Sequence, residues 1–439
     1  MQESNTSLKG KTVYIPRMSY EGARAMAAAL QAIGIEAEPV PPSDHTTLAL
    51  GKKFSSGDEC HPQTVTLGGF LKLLEKPGFD PKKAAFLMPM AGGPCRFGQY
   101  SVYVKKILMQ LGYPEILVFS PSGENSYDQF GKEGKGFARI AWRAVVASDI
   151  LRKLLLKTRP YEITPGTTDA VFHQSLDLVC EAIAKRTSNA KEHMEALLHA
   201  LRLTRDRFRQ ISCNYDASRP LIGVVGEIYC RLDDFANEEI LRVIEAQGGE
   251  AWMADISEWI WYTNYRQLGI IRDQGKRFSK TMLAAKIKNF VQHNDEKALL
   301  SLFREDFKGY EEPHHVQQVL NKSLPYLPHY GALGEMTVSS GKAMYLYEKG
   351  IDGIVDVSPF TCMNGIVCEA LYPKISREHD NIPMKVFYFD GTRSDWDRDI
   401  GIFIELARNY QQKKTKKRVF PNYFLTKQVN STTLEPMTS

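Results

Sequence analysis

Three cysteines with the capacity for chemistry stand in loops that are rich in glycine and proline. They are Cys60 in the stretch GDECHP, Cys95 in GGPCRFGQY and Cys362 in SPFTCMNG. Thiolates are strong nucleophiles and strong metal ligands, so loop cysteines are the first residues to consider for a functional site. The three lie far apart in sequence and no CxxC pair occurs in the chain, so spacing alone does not define a metal site.

The elements around these loops predict an α/β fold. Strand Thr12–Ile15, a helix over Glu21–Ile33 and strand Ile35–Val40 form a βαβ opening, which favours a parallel sheet. A second unit opens in the same way, with strand Leu221–Val225 and a helix over Asn237–Ala246. The sequence therefore predicts two Rossmann-like, doubly wound lobes that arose by internal duplication.

A chain of 439 residues is too long for one ordinary core, and its pattern changes along its length. The predicted segments, in chain order, are lobe one (10–136, with Cys60 and Cys95), a helical connector (137–218), lobe two (219–412, with Cys362) and a basic and polar tail (413–439). A mostly helical insertion is predicted within lobe two, over about 259–343. The tail is predicted to be disordered because it is rich in charged and small polar residues.

Cys95 and Cys362 take equivalent positions in the two lobes, because each follows a buried strand and precedes a helix. Ligands of open parallel sheets bind outside the carboxyl ends of the strands, so two facing lobes would present both thiols to one cleft. Cys60 follows the second strand of lobe one and could approach the same edge. Three thiolates in one place could hold an iron–sulfur cluster and leave one iron open, as catalytic metal sites leave one position free.

Ordinary buried thiols are the alternative, because free cysteine is among the residues most often found in protein cores. Cys180 and Cys213 fit that interpretation, since both belong to the helical connector. Cys230, at the predicted end of a strand, and Cys368, in the helix after Cys362, are alternatives as a fourth ligand. Seven cysteines form an odd set without paired spacing, which indicates no disulfide framework.

Four polar residues adjoin the first two cysteine loops and are candidate surroundings of a cluster: Glu59, Arg96, Gln99 and Tyr100. Arg96 could offset the negative charge of a cluster or bind a carboxylate or phosphate. A salt bridge within the loop is the alternative role for this arginine.

Three further residues are candidates for catalytic proton transfer. Glu227 ends the first strand of lobe two, His329 lies in the stretch LPHYG, and Glu335 begins the next predicted helix. Carboxyl and imidazole groups beside a reacting centre can act as general acids or bases. Structural roles are the alternatives, since Glu335 could cap its helix and Glu227 could accept backbone hydrogen bonds.

Composition and charge exclude several classes of protein. Apolar residues make up 43% of the chain and charged residues 24%, which is typical of a globular protein and not of a disordered one. The net charge of +5 includes a basic run at 413–418, so no nucleic-acid partner is predicted. No apolar run approaches about 20 residues, so no membrane partner is predicted. The first residues lack the apolar core of a signal peptide, and we predict a cytoplasmic protein whose thiols stay reduced.

The sequence resembles a known family at several motifs. They are GDEC with Cys60, GGPCRFGQY with Cys95, GEIY from Gly226, WMADISEW from Trp252, HYG from His329, and SPFTC with Cys362. Together they resemble the acyl-CoA dehydratase activase-related proteins, which are similar to the iron–sulfur subunits of 2-hydroxyacyl-CoA dehydratases and benzoyl-CoA reductases. The resemblance covers roughly residues 10–410, and the cysteine loops are its most specific part.

The resemblance implies a low-potential cluster held by cysteines of two Rossmann-like lobes, most simply a [4Fe-4S] cluster on Cys60, Cys95 and Cys362. A double-cubane cluster is less expected, because such proteins have more cysteine ligands. In the family, an ATP-hydrolysing activase injects single electrons. Dehydratases then form a ketyl radical on a CoA thioester and eliminate water, whereas reductases reduce aromatic thioesters. This chain shows no ATP-binding motif, so the activase is expected to be a separate chain. Whether the chain forms a homodimer or a heterodimer with a paralogue stays open.

Three functions follow as hypotheses. The first is a reductase or radical dehydratase component that acts on an acyl-CoA or related substrate. The second is an electron-transfer or cluster-carrier protein without substrate chemistry of its own. The third is a duplicated α/β binding module whose cysteines are plain thiols.

Overall fold

The computed structural model describes residues 8–90, 95–120, 136–328, 334–392 and 394–424. The strands in these ranges are β1 (Thr12–Ile15), β2 (Ala37–Pro39), β3 (Ala84–Leu87), β4 (Leu117–Phe119), β5 (Leu221–Gly226), β6 (Glu250–Met253), β7 (Gly353–Pro359) and β8 (Met384–Phe389). The helices are α1 (Tyr20–Ala32), α2 (His45–Lys52), α3 (His61–Leu74), α4 (Tyr100–Gln110), α5 (Phe137–Thr158), α6 (Thr167–Ala184), α7 (Ala190–Gln210), α8 (Ile228–Leu232), α9 (Ile240–Ala246), α10 (Ile256–Asp273), α11 (Lys280–Ser301), α12 (Val316–Ser323), α13 (Glu335–Glu348), α14 (Met363–Glu378) and α15 (Trp396–Lys413).

The strands form two four-stranded sheets in which every pairing is parallel. The strand orders are β2-β1-β3-β4 and β6-β5-β7-β8, so both sheets have the same order when counted from their own first strand. The predicted α/β class with two parallel sheets is confirmed. In a parallel sheet all carboxyl ends lie at one edge, which is where loops can combine into a site.

Burial explains why these sheets are parallel. Every residue of β5 and of β7 is buried, as expected for strands that are covered by helices on both faces. Helix α5 links the two halves of the core, because it packs against α1 on one side and against β6 and α10 on the other. The carboxyl edges of the two sheets are thereby held in a fixed relation.

A network of buried ion pairs joins three helices beside the second sheet. Lys342 of α13 is fully buried, and its ammonium lies 2.9 Å from the Glu258 carboxylate of α10. Lys342 also pairs with Glu312, and Glu312 pairs with Lys153 of α5. Lys153 lies 3.2 Å from Asp255, so α5, α10 and α13 share one set of alternating charges.

Two short helices differ from the sequence prediction, and both lie next to cysteines. Residues before Cys60 were predicted as loop but include α2, which begins with a capping box between Asp44 and Thr47. Cys230 was placed at the end of a strand but lies in α8, a helix of five residues. Helices of one or two turns carry little periodicity, which explains why the pattern did not reveal them.

The C-terminal segment also differs from its prediction as a disordered tail. Residues 414–424 pack against lobe two, where the Lys414 ammonium lies 2.6 Å from the Asp352 carboxylate. The Arg418 guanidinium lies 2.5 Å from the Glu250 carboxylate, and Phe424 is only 1% exposed. The physical reason is that Asp352 and Glu250 are buried carboxylates, which need cations from a distant part of the chain. Residues 425–439 lie outside the described residues.

Within the described ranges, no helix combines the length and apolar character needed to cross a lipid bilayer.

Arg418→Ala tests the contribution of the C-terminal segment. The Glu250 carboxylate is fully buried, and without Arg418 it would retain only hydroxyl donors, from Tyr161 and Tyr310. Breaking a buried pair in this way costs about 3–5 kcal/mol, so the midpoint of urea unfolding should fall clearly. The exposed Lys417→Ala is the matched control and should change stability by less than about 0.5 kcal/mol. Equal midpoints for the two variants would contradict the prediction.

Candidate functional site

Each of the three loop cysteines precedes a helical turn and serves as its N-cap residue. Cys60 precedes α3, Cys362 precedes α14, and Cys95 precedes a short 3₁₀ turn, Arg96–Gln99, that leads into α4. None of the three side chains makes a capping hydrogen bond. The thiols therefore stay available as ligands, while the backbone N–H groups of the helix ends favour negative charge beside them.

Glu227 reaches this region through an unusual backbone conformation at the end of β5. Gly226 has a φ of 116°, and a Cβ atom there would lie 2.2 Å from the Val357 carbonyl oxygen of β7. Only glycine permits this close approach of the two strands. The turn sends Glu227 beyond the carboxyl edge of the second sheet, where it begins α8.

The three thiols lie within electrostatic range of the Glu227 carboxyl group. Burial, which is only partial for the exposed Cys95, is the main cause that raises the pKa of the Cys60, Cys95 and Cys362 thiols, to about 12 for Cys362. The Glu227 charge raises each of these pKa values further, and the Cys95 thiolate also raises that of Cys60. Cysteines of both lobes therefore lie within electrostatic range of one carboxyl group. Metal binding here would have to displace thiol protons.

In lobe one, two contacts tie the Cys95 turn to the Cys60 loop. The Tyr100 hydroxyl lies 2.7 Å from the Cys60 sulfur, and the Arg96 guanidinium donates to the backbone carbonyl of Asp58. Two of the residues predicted to surround a cluster therefore fix the distance between the loops.

The other two predicted residues of this group have different surroundings. The Glu59 carboxylate accepts hydrogen bonds from the backbone N–H groups of Ser56, at 2.7 Å, and Gly57, at 3.1 Å. It therefore closes its own loop. Gln99 is exposed at the end of the 3₁₀ turn.

In lobe two, the residue before the third cysteine has a strained backbone. Thr361 has a φ of 65°, in the left-handed region that is unfavourable for a β-branched residue. Such strain costs on the order of 1–3 kcal/mol and persists only where the surrounding structure enforces it. It sets the direction in which the chain enters α14 at Cys362.

Glu335 connects the two loops of lobe two that carry Glu227 and Cys362. One oxygen of its carboxyl group accepts from the Ile228 N–H at 2.8 Å, and the other accepts from the Asn364 side chain at 3.1 Å. The Glu227 carboxyl accepts from the N–H groups of Tyr229, at 3.0 Å, and Cys230, at 2.7 Å. Both predicted carboxylates thus bind helix N-termini at the edge of the second sheet.

The two carboxyl groups perturb each other's protonation. Burial, followed by the charge of Glu227, raises the pKa of Glu335 to about 8. Burial also raises the pKa of Glu227, although the N–H groups of Cys230 and Tyr229 oppose this. The charge of one carboxylate disfavours ionisation of the other, so the pair as a whole holds a proton more strongly than ordinary carboxyl groups do.

Arg231 belongs to this site but was not among the predicted residues. Its positive charge lowers the pKa of both Glu227 and Glu335, and its buried Nε atom has no hydrogen-bond partner among the described residues. A cavity of about 10 Å³ lies against Arg231, Glu335, Glu258 and Lys342, which is about the space of one water molecule. The only sequence signal was its position one helical turn after Glu227.

An open groove of about 840 Å³ is lined by residues of both lobes, and its lining includes none of the three cysteines and neither Glu227 nor Glu335. His61, which directly follows Cys60, forms part of its wall, together with Arg17 from the end of β1 and Gly391 from the end of β8. Burial lowers the pKa of His61 to about 4, so this imidazole is neutral at pH 7. The groove has the size of sites that hold cofactor-sized molecules.

The remaining cysteines are buried in the protein interior. The Cys230 sulfur lies 3.9 Å from the Ala236 carbonyl oxygen, and the Cys368 sulfur lies 3.7 Å from the Met336 carbonyl oxygen. Cys180 is buried in the main hydrophobic core, in agreement with its predicted packing role. His329, predicted as a general acid, lies outside the described residues.

Within the part of the chain that the structure describes, no group of three or more histidine, cysteine, aspartate or glutamate side chains is arranged to hold a metal ion. Comparison with known proteins assigns no family, because no protein-family model and no curated protein matches this chain. The chemistry of the site must therefore be argued from its own residues.

Glu335→Gln tests the raised pKa at this site. A carboxyl with a pKa of about 8 when folded, against 4.5 as its ordinary value, stabilises the fold below pH 4.5 and loses that contribution as the pH rises to 8. The free energy of unfolding of the metal-free protein should therefore fall between pH 5 and pH 8, by up to about 1.4 kcal/mol per pH unit. Urea unfolding across this range should give a flatter profile for the variant.

Glu348→Gln is the matched control, since Glu348 is exposed at the other end of α13. It should keep the wild-type pH profile. Parallel profiles for wild type and Glu335→Gln would show that Glu335 ionises normally.

Proposed function

We propose that this chain holds an iron–sulfur cluster on Cys60, Cys95 and Cys362. We propose further that it acts as a low-potential reductase or radical dehydratase component on an acyl-CoA or related substrate. The observation that supports the proposal is that three cysteines, each the N-cap residue of a helical turn and drawn from both lobes, all lie within electrostatic range of the Glu227 carboxyl group. The resemblance of the cysteine motifs to those of the acyl-CoA dehydratase activase-related proteins gives independent support.

The donor set fits such a group. Thiolates are the ligands of iron–sulfur clusters, and helix N-termini offset the negative charge that cluster and thiolates would bring. A cluster distributes its cysteine ligands over several irons, so the thiols need not meet at a single ion. When bound, a [4Fe-4S] cluster with three cysteine ligands would supply single electrons at low potential and one open iron as a Lewis acid.

The carboxyl pair would supply protons to the same site. Glu335 keeps its proton at neutral pH, so it could donate to a leaving hydroxyl group or to a reduced substrate carbon. A water molecule in the water-sized cavity beside Glu335 could relay a proton back to it, and the Arg231 charge would stabilise the carboxylate in the meantime. Glu227 would adjust the proton affinity of Glu335 through its charge.

The groove beside His61 favours an enzyme over an electron carrier. A carrier needs only a buried redox centre near its surface, whereas this groove of about 840 Å³ offers room for a substrate that reaches His61, the residue after Cys60. We infer that the substrate binds between the lobes, with its reacting end toward Cys60.

A separate electron donor, which we propose to be an ATP-hydrolysing activase, would approach on the exposed side of the site. Cys95 is exposed, and two apolar neighbours of Cys362 also face outward, Phe360 at 59% and Met363 at 39% exposure. Exposed apolar residues around a redox site are typical of surfaces that contact protein partners.

We further infer that the two lobes arose by duplication and are joined by α5–α7 as a helical connector. The identical strand orders support this, as do the positions of Cys95 and Cys362 after the third strand of their own sheets.

Anaerobic reconstitution with iron and sulfide tests the cluster. The protein should become brown, contain iron and acid-labile sulfide in similar amounts, and give an EPR signal after reduction. Cys60→Ser, Cys95→Ser and Cys362→Ser should each lose most of the bound iron, because each removes one of the few ligands. Cys180→Ser is the matched control, since Cys180 is a core residue, and should keep the cluster.

A colourless protein, or one that binds only zinc under these conditions, would contradict the proposal. Equal iron loss in all four variants would instead indicate misfolding, which circular dichroism can detect.

Addition of acyl-CoA thioesters to the reconstituted protein distinguishes an enzyme from a carrier. Substrate binding at an open iron should change the visible and EPR spectra, and free CoA should not reproduce this change. No response across a broad panel of thioesters would favour the electron carrier.

A further inference from the structure

Helices α10 and α11 form a hairpin that extends away from the core. The C-terminal half of α11 is fixed, because Asp295 pairs with Arg139 and Arg143 of α5, and Trp142 donates to the Gln292 carbonyl at 2.8 Å. From Asp295 back to the start of α11 the helix spans about 24 Å. The outer half of the hairpin, residues 266–290, is termed the hairpin tip.

The hairpin tip carries a continuous apolar stripe on its outer surface. In α11, Leu283 is 60%, Ile287 is 55% and Phe290 is 66% exposed, and the spacing of four and three residues places them on one face. Met282 and Ala285, on the other side of the helix, are buried at 5% and 6%. At the turn between the helices, Phe278 is 96% exposed. Among the described residues, no element covers this surface.

The same segment is strongly basic. Residues 266–290 contain seven lysine or arginine residues and one acidic residue, which gives a net charge of +6. The whole chain has a net charge of +5, so the remainder sums to about −1. In α11, Lys280 and Lys286 lie on either side of the apolar stripe, about 60° from Leu283 around the helix. The basic run at 413–418 does not form a comparable basic surface, since two of its members, Lys414 and Arg418, are paired with carboxylates within the protein.

Charge and shape together limit what can cover this surface. A second copy using the same face would bring two charges of +6 together, which opposes self-association. Nucleic acid would match the charge but not a stripe of leucine, isoleucine and phenylalanine. The stripe lies on a convex helix, so a protein partner would have to supply an acidic groove. A flat surface with negative charge and an apolar interior matches the positive charge, the convex shape and the apolar stripe of the hairpin tip.

We propose that the hairpin tip binds the surface of an anionic lipid bilayer. The apolar stripe and Phe278 would enter the boundary between headgroups and acyl chains, and the flanking lysines would contact lipid phosphates. The expectation that no membrane partner exists rested on the absence of a spanning segment, and peripheral binding of this kind needs none. Because α10 is about 27 Å long, the turn with Phe278 lies far from Glu258 and the site behind it.

Flotation with lipid vesicles tests this proposal on the purified full-length chain. Vesicles of phosphatidylcholine with phosphatidylglycerol should carry the protein, and vesicles of phosphatidylcholine alone should not. Binding should weaken as salt rises, because screening reduces the lysine contribution. The triple variant Leu283→Ser/Ile287→Ser/Phe290→Ser and the double variant Lys280→Glu/Lys286→Glu should each lower the bound fraction at least about tenfold.

Helix α4 provides matched controls, because it also exposes apolar and basic residues. Val102 is 58% and Met109 is 69% exposed, and Lys105 and Lys106 are exposed on the same helix. Val102→Ser/Met109→Ser and Lys105→Glu/Lys106→Glu should bind vesicles like the wild type. Circular dichroism should show that all variants are folded.

Several outcomes would overturn the proposal. One is failure to bind anionic vesicles, and another is equal binding to neutral ones. Equal loss of vesicle binding in the α4 variants and the α11 variants would show that the substitutions do not act through the hairpin tip. A dimer in analytical ultracentrifugation that dissociates only in the α11 variants would assign the face to a protein contact instead. None of these results depends on the iron–sulfur cluster.

Discussion

The arrangement of the candidate site depends on a positive charge deep inside the protein. The Lys342 ammonium is fully buried between Glu258 and Glu312, and Glu312 in turn pairs with Lys153. Removing one partner of such a set leaves an unpaired buried charge and typically costs about 3–5 kcal/mol, so the partners cannot move independently. Helix α13 is thereby fixed against α10 and α5. Glu335 lies two helical turns before Lys342, and its position at the cysteines follows from this constraint.

Each lobe builds its share of the site by a different means. Lobe one uses side-chain contacts between two loops, in which Tyr100 meets the Cys60 sulfur and Arg96 binds a backbone carbonyl. Lobe two uses carboxyl groups, since Glu335 bridges the backbone of α8 and the side chain of Asn364. Neither lobe by itself presents all three thiols. The proposed chemistry would therefore need both lobes.

The parallel strands could be predicted because buried strands have dense apolar patterns that are visible locally. Residue type alone identified the cysteine loops as candidates for a site. Their position relative to Glu227 depends on contacts between residues that are hundreds of positions apart, and a single sequence does not reveal such contacts. Cysteine is not a usual N-cap residue, so the start of α3 at His61 carried no standard signal. The segment around Arg418 looked like a solvated tail, because its buried partner is 168 residues away.

That separation also has a consequence for the order in which the protein forms during synthesis. Glu250 lies in β6, at an edge of the second sheet, and it leaves the ribosome long before the arginine that pairs with it. Until Arg418 is synthesised, the sheet contains a buried carboxylate without its cation. Asp352 likewise lacks its cation until Lys414 is synthesised. The second lobe therefore reaches full stability only after residues 414–418 have been synthesised and have folded back onto it.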